Sequence, residues 1–282
     1  MSIIYTIGFQ PVEIVNRAHQ LIDLQNYIID KGVSSGNLKN DIIEYLKSFT
    51  LLDTDYLLLN TIKNRDLIPY AHFPNTILYD PPYVASQREI FSLLSSIRTL
   101  IGPKDNVSDY TSAVNSLRAS IIRTKENLPQ SVYFNALTLL SDCNQSNLDS
   151  LDAYLSRYTS PYIVSPVKKK AIFLGDPVSP KYFDTLNAAG IWVSAFAPYE
   201  FFMTPCDRLD SYYFENPIFQ SQLYTLVETR RLISEHQADI LILNPGGIYL
   251  SETEADFLAY KFSKDVTVYK LPGVFTGAPI QI

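Results

Sequence analysis

Residues 171–177 read Ala171-Ile172-Phe173-Leu174-Gly175-Asp176-Pro177, an apolar run stopped by turn residues. Such a run is expected to form a buried strand. The next segments decide the arrangement: residues 180–189 have a helical pattern ended by Gly190, and residues 191–196 are apolar again. Strand, helix, strand is the unit that builds a parallel sheet, because a parallel neighbour is reached only by a crossover. Downstream, Asn216-Pro217 opens a long helix with a cap residue followed by Pro at the first helical position. Phe219, Leu223, Leu226, Val227 and Ile233 form its expected buried stripe. Residues 240–243 make another strand, Ser251 and Glu254 have the spacing of a capping box, and residues 266–269 make a last strand.

The same rhythm runs upstream. Residues 3–7 are rich in β-formers and stop at Gly8; residues 21–29 carry another apolar segment, and residues 56–59 and 76–79 are short apolar runs bounded by turn residues. Helical patterns cover residues 41–49 and 86–101, the second with a Ser86/Glu89 capping box and an apolar face of Ile90, Phe91, Leu94, Ile97 and Ile101. Residues 108–158 read as helical, broken near Pro129 and at the polar turn 144–147. Pro161, Pro166 and the run Lys168-Lys169-Lys170 mark a boundary. The expected fold is α/β, with two Rossmann-like (flavodoxin-like) domains, each holding a roughly four-stranded parallel sheet. An N-terminal domain spans 1–105, a helical connector 106–165 and a C-terminal domain 166–282.

Composition agrees with two cores. A chain of 282 residues exceeds what one core usually serves, and 46% hydrophobic against 18% charged residues argues for ordinary globular cores rather than disorder. A net charge of -6 disfavours a broad surface for nucleic acid or anionic membrane. The lysine run could touch a nucleotide phosphate, but a solvated linker end is the expectation. No apolar run approaches the length that spans a bilayer, and residues 1–8 lack the basic start of a secretory signal, so a cytoplasmic location is expected. Cys143 and Cys206 are then expected to be free thiols.

Chemical motifs are sparse. His19, His72 and His236 lack metal-ligand spacing, and the glycine-rich signatures of phosphate loops, dinucleotide sites and hydrolase elbows are missing. Candidate binding residues therefore lie at strand ends. Gly175-Asp176 and Asn244-Pro245-Gly246-Gly247 each end a strand, and their glycines permit close backbone approach to a ligand, although turns demand the same residues.

Several blocks, in order, resemble the D-component family of 2-hydroxyacyl-CoA dehydratases and benzoyl-CoA reductases. They are Pro11-Val12-Glu13-Ile14, Tyr79-Asp80-Pro81-Pro82-Tyr83 with a long helix closing on Gly102, residues 172–177, residues 207–213, Asn216-Pro217 with Arg230-Arg231, and residues 238–243. The resemblance implies a cleft between two α/β domains and an acyl-CoA ligand, with Asp80 and Tyr83 near it and Arg230 or Arg231 able to hold a phosphate. It also implies an iron–sulfur cluster on three cysteines. Here Ser34-Ser35, residues 61–64 and residues 244–247 stand where those cysteines would be expected. Hydroxyls and backbone groups do not replace thiolates on iron, so no cofactor is expected. Ser34, Ser35 and Gly247 join the candidate ligand-binding positions, and no catalytic residue is assigned. Two functions follow: a clusterless subunit acting as a structural or active-site-completing partner of a cluster-bearing subunit, or a stand-alone non-redox protein binding an acyl-CoA or other small ligand. A homo-oligomer is the alternative assembly. A two-domain solute-binding protein is a weaker reading, because an export signal is missing.

Overall fold

The computed structural model describes residues 2–8, 19–31, 37–61, 64–79, 107–141, 145–159, 162, 166–176, 178–197, 222–246 and 249–271. The protein is α/β, built on two four-stranded parallel sheets with helices between their strands. The first sheet holds β1 (Ser2–Ile7), β2 (His19–Asp23), β3 (Tyr56–Asn60) and β4 (Thr76–Tyr79) in the spatial order β2-β1-β3-β4. Helices α1 (Leu24–Asp30) and α2 (Leu38–Ser48) and a 3-10 helix (Arg65–Tyr70) lie between these strands in sequence. The apolar segment 21–29 proves to contain a junction, since β2 ends at Asp23 and α1 begins at Leu24. Asp23 Oδ1 accepts the N–H of Gln25 at 2.8 Å, which binds one of the amides a starting helix leaves without an intrahelical partner.

Among the described residues three helices follow: α3 (Val107–Thr124), α4 (Gln130–Ser141) and α5 (Gln145–Leu155). The break at Pro129 is therefore real, and a short 3-10 turn (Lys125–Asn127) precedes it. Helix α4 packs against the second sheet: Phe134 meets Phe173 and Phe196 with ring centroids at 6.0 and 5.5 Å.

The second sheet holds β5 (Lys169–Gly175), β6 (Ile191–Ala197), β7 (Ile240–Asn244) and β8 (Thr267–Lys270) in the order β6-β5-β7-β8, the same pattern as the first. Among the described residues its helices are α6 (Lys181–Ala188), α7 (Gln222–His236) and α8 (Glu252–Phe262). Both faces are buried, as a parallel sheet under crossover helices requires. Ala171, Phe173, Ile240 and Ile242 belong to one core, while Ile172, Leu174, Leu241 and Leu243 belong to the other. The first of these cores also takes in Ile4, Ile7, Leu57, Leu59 and residues of α3, α4 and α5, so it runs through both sheets.

Some expectations are corrected. Val227 is 58% exposed, and the buried side of α7 instead carries Leu232, Glu228 and Thr229, with Leu226 and Ile233 packed beside it. Helix α7 lies against β5 and β6, and that contact rather than a continuous apolar stripe sets which side is covered. Lys169 and Lys170 are exposed at the start of β5, and Lys168 donates its N–H to Gly190 O at 2.9 Å. The helix read over 86–101, the Asn216-Pro217 helix start, the segments around Pro11 and Asp207, Cys143 and Cys206 lie outside the described residues. Among the described residues no helix is long and apolar enough to cross a membrane.

Candidate functional site

In each sheet the chain steps from the first strand to one side and then returns to the other, so a switch point opens beyond the carboxyl ends of the first and third strands. Ligands of open parallel sheets bind at such points. In the second sheet the pair is β5 and β7, where Gly175 lies opposite Asn244. Gly175 has φ +133, and a Cβ there would sit 2.2 Å from Asn244 O, so no other residue fits.

Asp176 follows and is 0% exposed. Its N–H donates to Asn244 O at 2.9 Å, and Asn244 Nδ2 donates back to Asp176 O at 2.8 Å. Its carboxylate accepts the backbone N–H groups of Gly246 (2.9 Å), Tyr249 (3.0 Å) and Leu250 (3.2 Å). A buried carboxylate met by several amide donors has the hydrogen-bonded surroundings that burial of charge demands. The result holds Gly246, Tyr249 and Leu250 against Asp176, just before Ser251, the capping residue of α8. Gly246 is part of the same fit, since a Cβ there would lie 2.9 Å from both Cβ and Cγ of Asp176. Asp176 thus anchors the loop, while Asn244 Oδ1 is buried with no hydrogen-bond partner among the described residues.

The first sheet repeats the arrangement with other residues. Gly8, just beyond β1, has φ +82, and a Cβ on it would approach Asn60 Cβ to 2.9 Å. Its N–H donates to Gln25 Oε1 at 2.8 Å, and Asn64 Nδ2 donates to Asn60 O at 3.0 Å. Gln25 and Asn64 are 1% and 2% exposed. Gln25 Nε2 and Asn64 Oδ1 have no hydrogen-bond partner among the described residues. A buried polar atom left unpaired costs about 1–3 kcal/mol, so two near one strand end are a costly local feature of the fold.

The two ends meet at Gly246. Lys39, in the first turn of α2, donates its N–H to Gly246 O at 3.1 Å, and its Nζ lies 2.8 Å from Asp66 Oδ2. One helix of the N-terminal half thereby touches the loop that Asp176 holds.

Of the residues singled out from the sequence, Gly175, Asp176, Asn244 and Gly246 come together around one carboxylate. Ser34, Ser35, Asp80, Tyr83 and Gly247 lie outside the described residues. His72 is exposed and His236 ends α7, and no group of three or more His, Cys, Asp and Glu fit to hold a metal occurs among the described residues. Arg230 is exposed, while Arg231 pairs with Glu228 and Glu235 on its own helix. Sequence reasoning misses Gln25, Asn60 and Asn64. Their signal is a glutamine inside an apolar run and two asparagines flanking the end of another.

An iron–sulfur cluster does not fit these strand ends. Thr61 and Asn64 follow β3, and Gly246 follows Asn244 at the end of β7. The groups they offer are hydroxyl, amide and backbone, engaged in local hydrogen bonding, whereas thiolates normally hold such clusters. The sequence matches no protein-family model, and no curated protein matches it.

Proposed function

We propose that this chain is a 2-hydroxyacyl-CoA dehydratase-like subunit without an iron–sulfur cluster of its own, completing the active site or framework of a cluster-bearing partner in acyl-CoA dehydration or reduction. The observation that supports this reading is the pairing of two parallel sheets of one strand order, with their switch points linked through Lys39 and Gly246. The described residues at those strand ends, Asn60, Thr61, Asn64 and Asn244, offer amides and a hydroxyl, as a clusterless subunit would. On this reading the protein works in the cytoplasm and its own contribution is shape and polar contact.

The test is purification of the full chain from its native cells under anaerobic conditions, with iron and sulfide assays and identification of any copurifying chain. An iron-free chain bound to an iron-bearing partner is the expected result. Iron on the isolated chain would overturn it.

A second reading is favoured by the unpartnered atoms Gln25 Nε2, Asn64 Oδ1 and Asn244 Oδ1, which suit a protein that binds a small ligand alone. An iron-free, solitary chain that binds an acyl-CoA would favour this stand-alone role.

A further inference from the structure

Helices α7 and α8 cover one face of the second sheet: Leu232 of α7 and Ala255, Leu258 and Phe262 of α8 share a core with Ile172, Leu174, Leu241 and Leu243. Helices in such a position normally turn polar and charged residues outward. Here Phe257 is 46% exposed and Tyr260 77% exposed, and Val227 of α7 stands in water as well. The two rings are three positions apart on α8 and therefore lie side by side, away from its buried line Ala255, Leu258 and Phe262. Lys261 Nζ lies 5.5 Å from the ring centroid of Phe257 and 5.8 Å from that of Tyr260, so its cation and the rings form one surface.

The charges on either side of these rings are ordered. Towards the start of α8, Glu252 and Asp256 share the cation of Lys270, each at 2.6 Å, which leaves one negative charge in excess. Towards its end, exposed Lys261 and Lys264 outnumber the acid beside them, Asp265. A helix dipole favours that order on any helix. What distinguishes this one is a pair of large rings in water between the two charge groups. A partner of a single charge sign would meet its like at one end. A copy of the same helix turned end over end meets its opposite at both ends, as an isologous contact requires.

We propose that the outer face of α8 binds a second copy of this chain, the two helices antiparallel about a two-fold axis that passes between Phe257 and Tyr260. Phe257 then packs on Tyr260 of the second copy, and Asp256 meets its Lys261. Each copy brings an 11-residue helix about 16 Å long, so the contact is at the small end of specific interfaces and the association is micromolar. The pairing depends neither on acyl-CoA nor on a cluster-bearing subunit.

The test is sedimentation velocity of the full chain from about 1 μM to about 1 mM, where a monomer–dimer equilibrium is expected. Phe257→Glu and Tyr260→Glu alter exposed side chains, and each should weaken the dimer about tenfold or more, with folding checked by circular dichroism. The decisive pair is Asp256→Lys and Lys261→Glu. Either alone sets like charges against each other across the axis and weakens self-association, whereas an equimolar mixture of the two restores opposite charges and forms the heterodimer. Such recovery cannot come from damage to one chain. A chain that stays monomeric at every concentration, or a dimer indifferent to all four variants, overturns the proposal. Weakening without recovery in the mixture overturns it too. If the chain is monomeric alone and Tyr260→Glu releases an iron-bearing partner, the face belongs to that partner and not to a second copy.

Discussion

The carboxylate of Asp176 is wholly withdrawn from water, and three backbone N–H groups from Gly246, Tyr249 and Leu250 replace its hydration. Such an arrangement tolerates little change in shape. Gly246→Ala would put a Cβ 2.9 Å from two Asp176 atoms that those hydrogen bonds hold in place. The expected loss is about 1–3 kcal/mol, the usual cost of overpacking, read from the denaturant midpoint. An unchanged midpoint would mean that the loop moves aside freely and that Asp176 does not fix it. Tyr182 presents the opposite case: its hydroxyl is buried with no partner among the described residues, and burial pushes the phenol well above its ordinary value of 10.0. Because the folded form keeps the proton that the unfolded chain releases near pH 10, stability is full below that pH and is lost as pH rises above it. Tyr182→Phe should therefore raise stability by about 1 kcal/mol at neutral pH, and its advantage over the parent should widen above pH 10. Urea unfolding at neutral and alkaline pH measures both parts, and a constant gap between the two proteins would refute the pH argument. None of these roles is legible locally in the sequence. Gly175-Asp176 reads as a turn, and the amides that its carboxylate binds stand some 70 residues further on.

At the scale of elements, the edge strand β6 shows how a helix between the sheets becomes part of one of them. In the register with β5, Ala171 faces Val193 but Ile172 faces Ala195, so Ser194 is an extra residue and the strand bulges. The face alternation changes with it, and Val193 and Phe196 enter the same core although they stand three positions apart. Gln130 of α4 closes the outer side of this bulge, donating from Nε2 to Val193 O at 2.7 Å and accepting the Val193 N–H on Oε1 at 3.2 Å. Gln130→Leu roughly keeps the volume but leaves two buried backbone groups unpaired, each worth about 1–3 kcal/mol. The expected outcome is a thermal midpoint several degrees lower, with the emission of the single tryptophan, Trp192 in β6, altered in the folded state. A parent-like midpoint would show that the bulge is satisfied without Gln130. Period and punctuation make most elements legible: Ser251 and Glu254 announce the capping box that opens α8, and Gly190 (φ +83) announces the end of α6. What misleads is the company of a residue. Val227 is apolar and helical but exposed, while Glu228 and Thr229 beside it are buried, because the sheet against which α7 packs selects the face and hydrophobicity only follows.

For the whole molecule, the decisive fact is that one core cluster extends from Ile4 and Leu57 in the first sheet, through a layer of helices, to Phe173 and Ile242 in the second. The helical layer is formed by Leu117 and Ile121 of α3, Phe134 and Leu137 of α4, and Leu151 and Leu155 of α5. Large chains with two domains often unfold in separate steps. A shared core argues against that here, because neither half can lose its apolar layer without exposing that of the other. Trp192 makes this testable, since it is the single tryptophan and sits in the second sheet. Ile4→Ala removes fully buried methyl groups from the first sheet, a change that costs about 2–5 kcal/mol. If the core is continuous, the unfolding midpoint seen by Trp192 fluorescence falls with the midpoint seen by far-ultraviolet circular dichroism, and the two stay coincident. If the sheets are energetically separate, the Trp192 transition keeps its parental midpoint while the dichroism signal splits into two steps. The first outcome also bears on function: a ligand bound by either half would then stabilise both sheets together, through the common core and the hydrogen bond from Lys39 to Gly246.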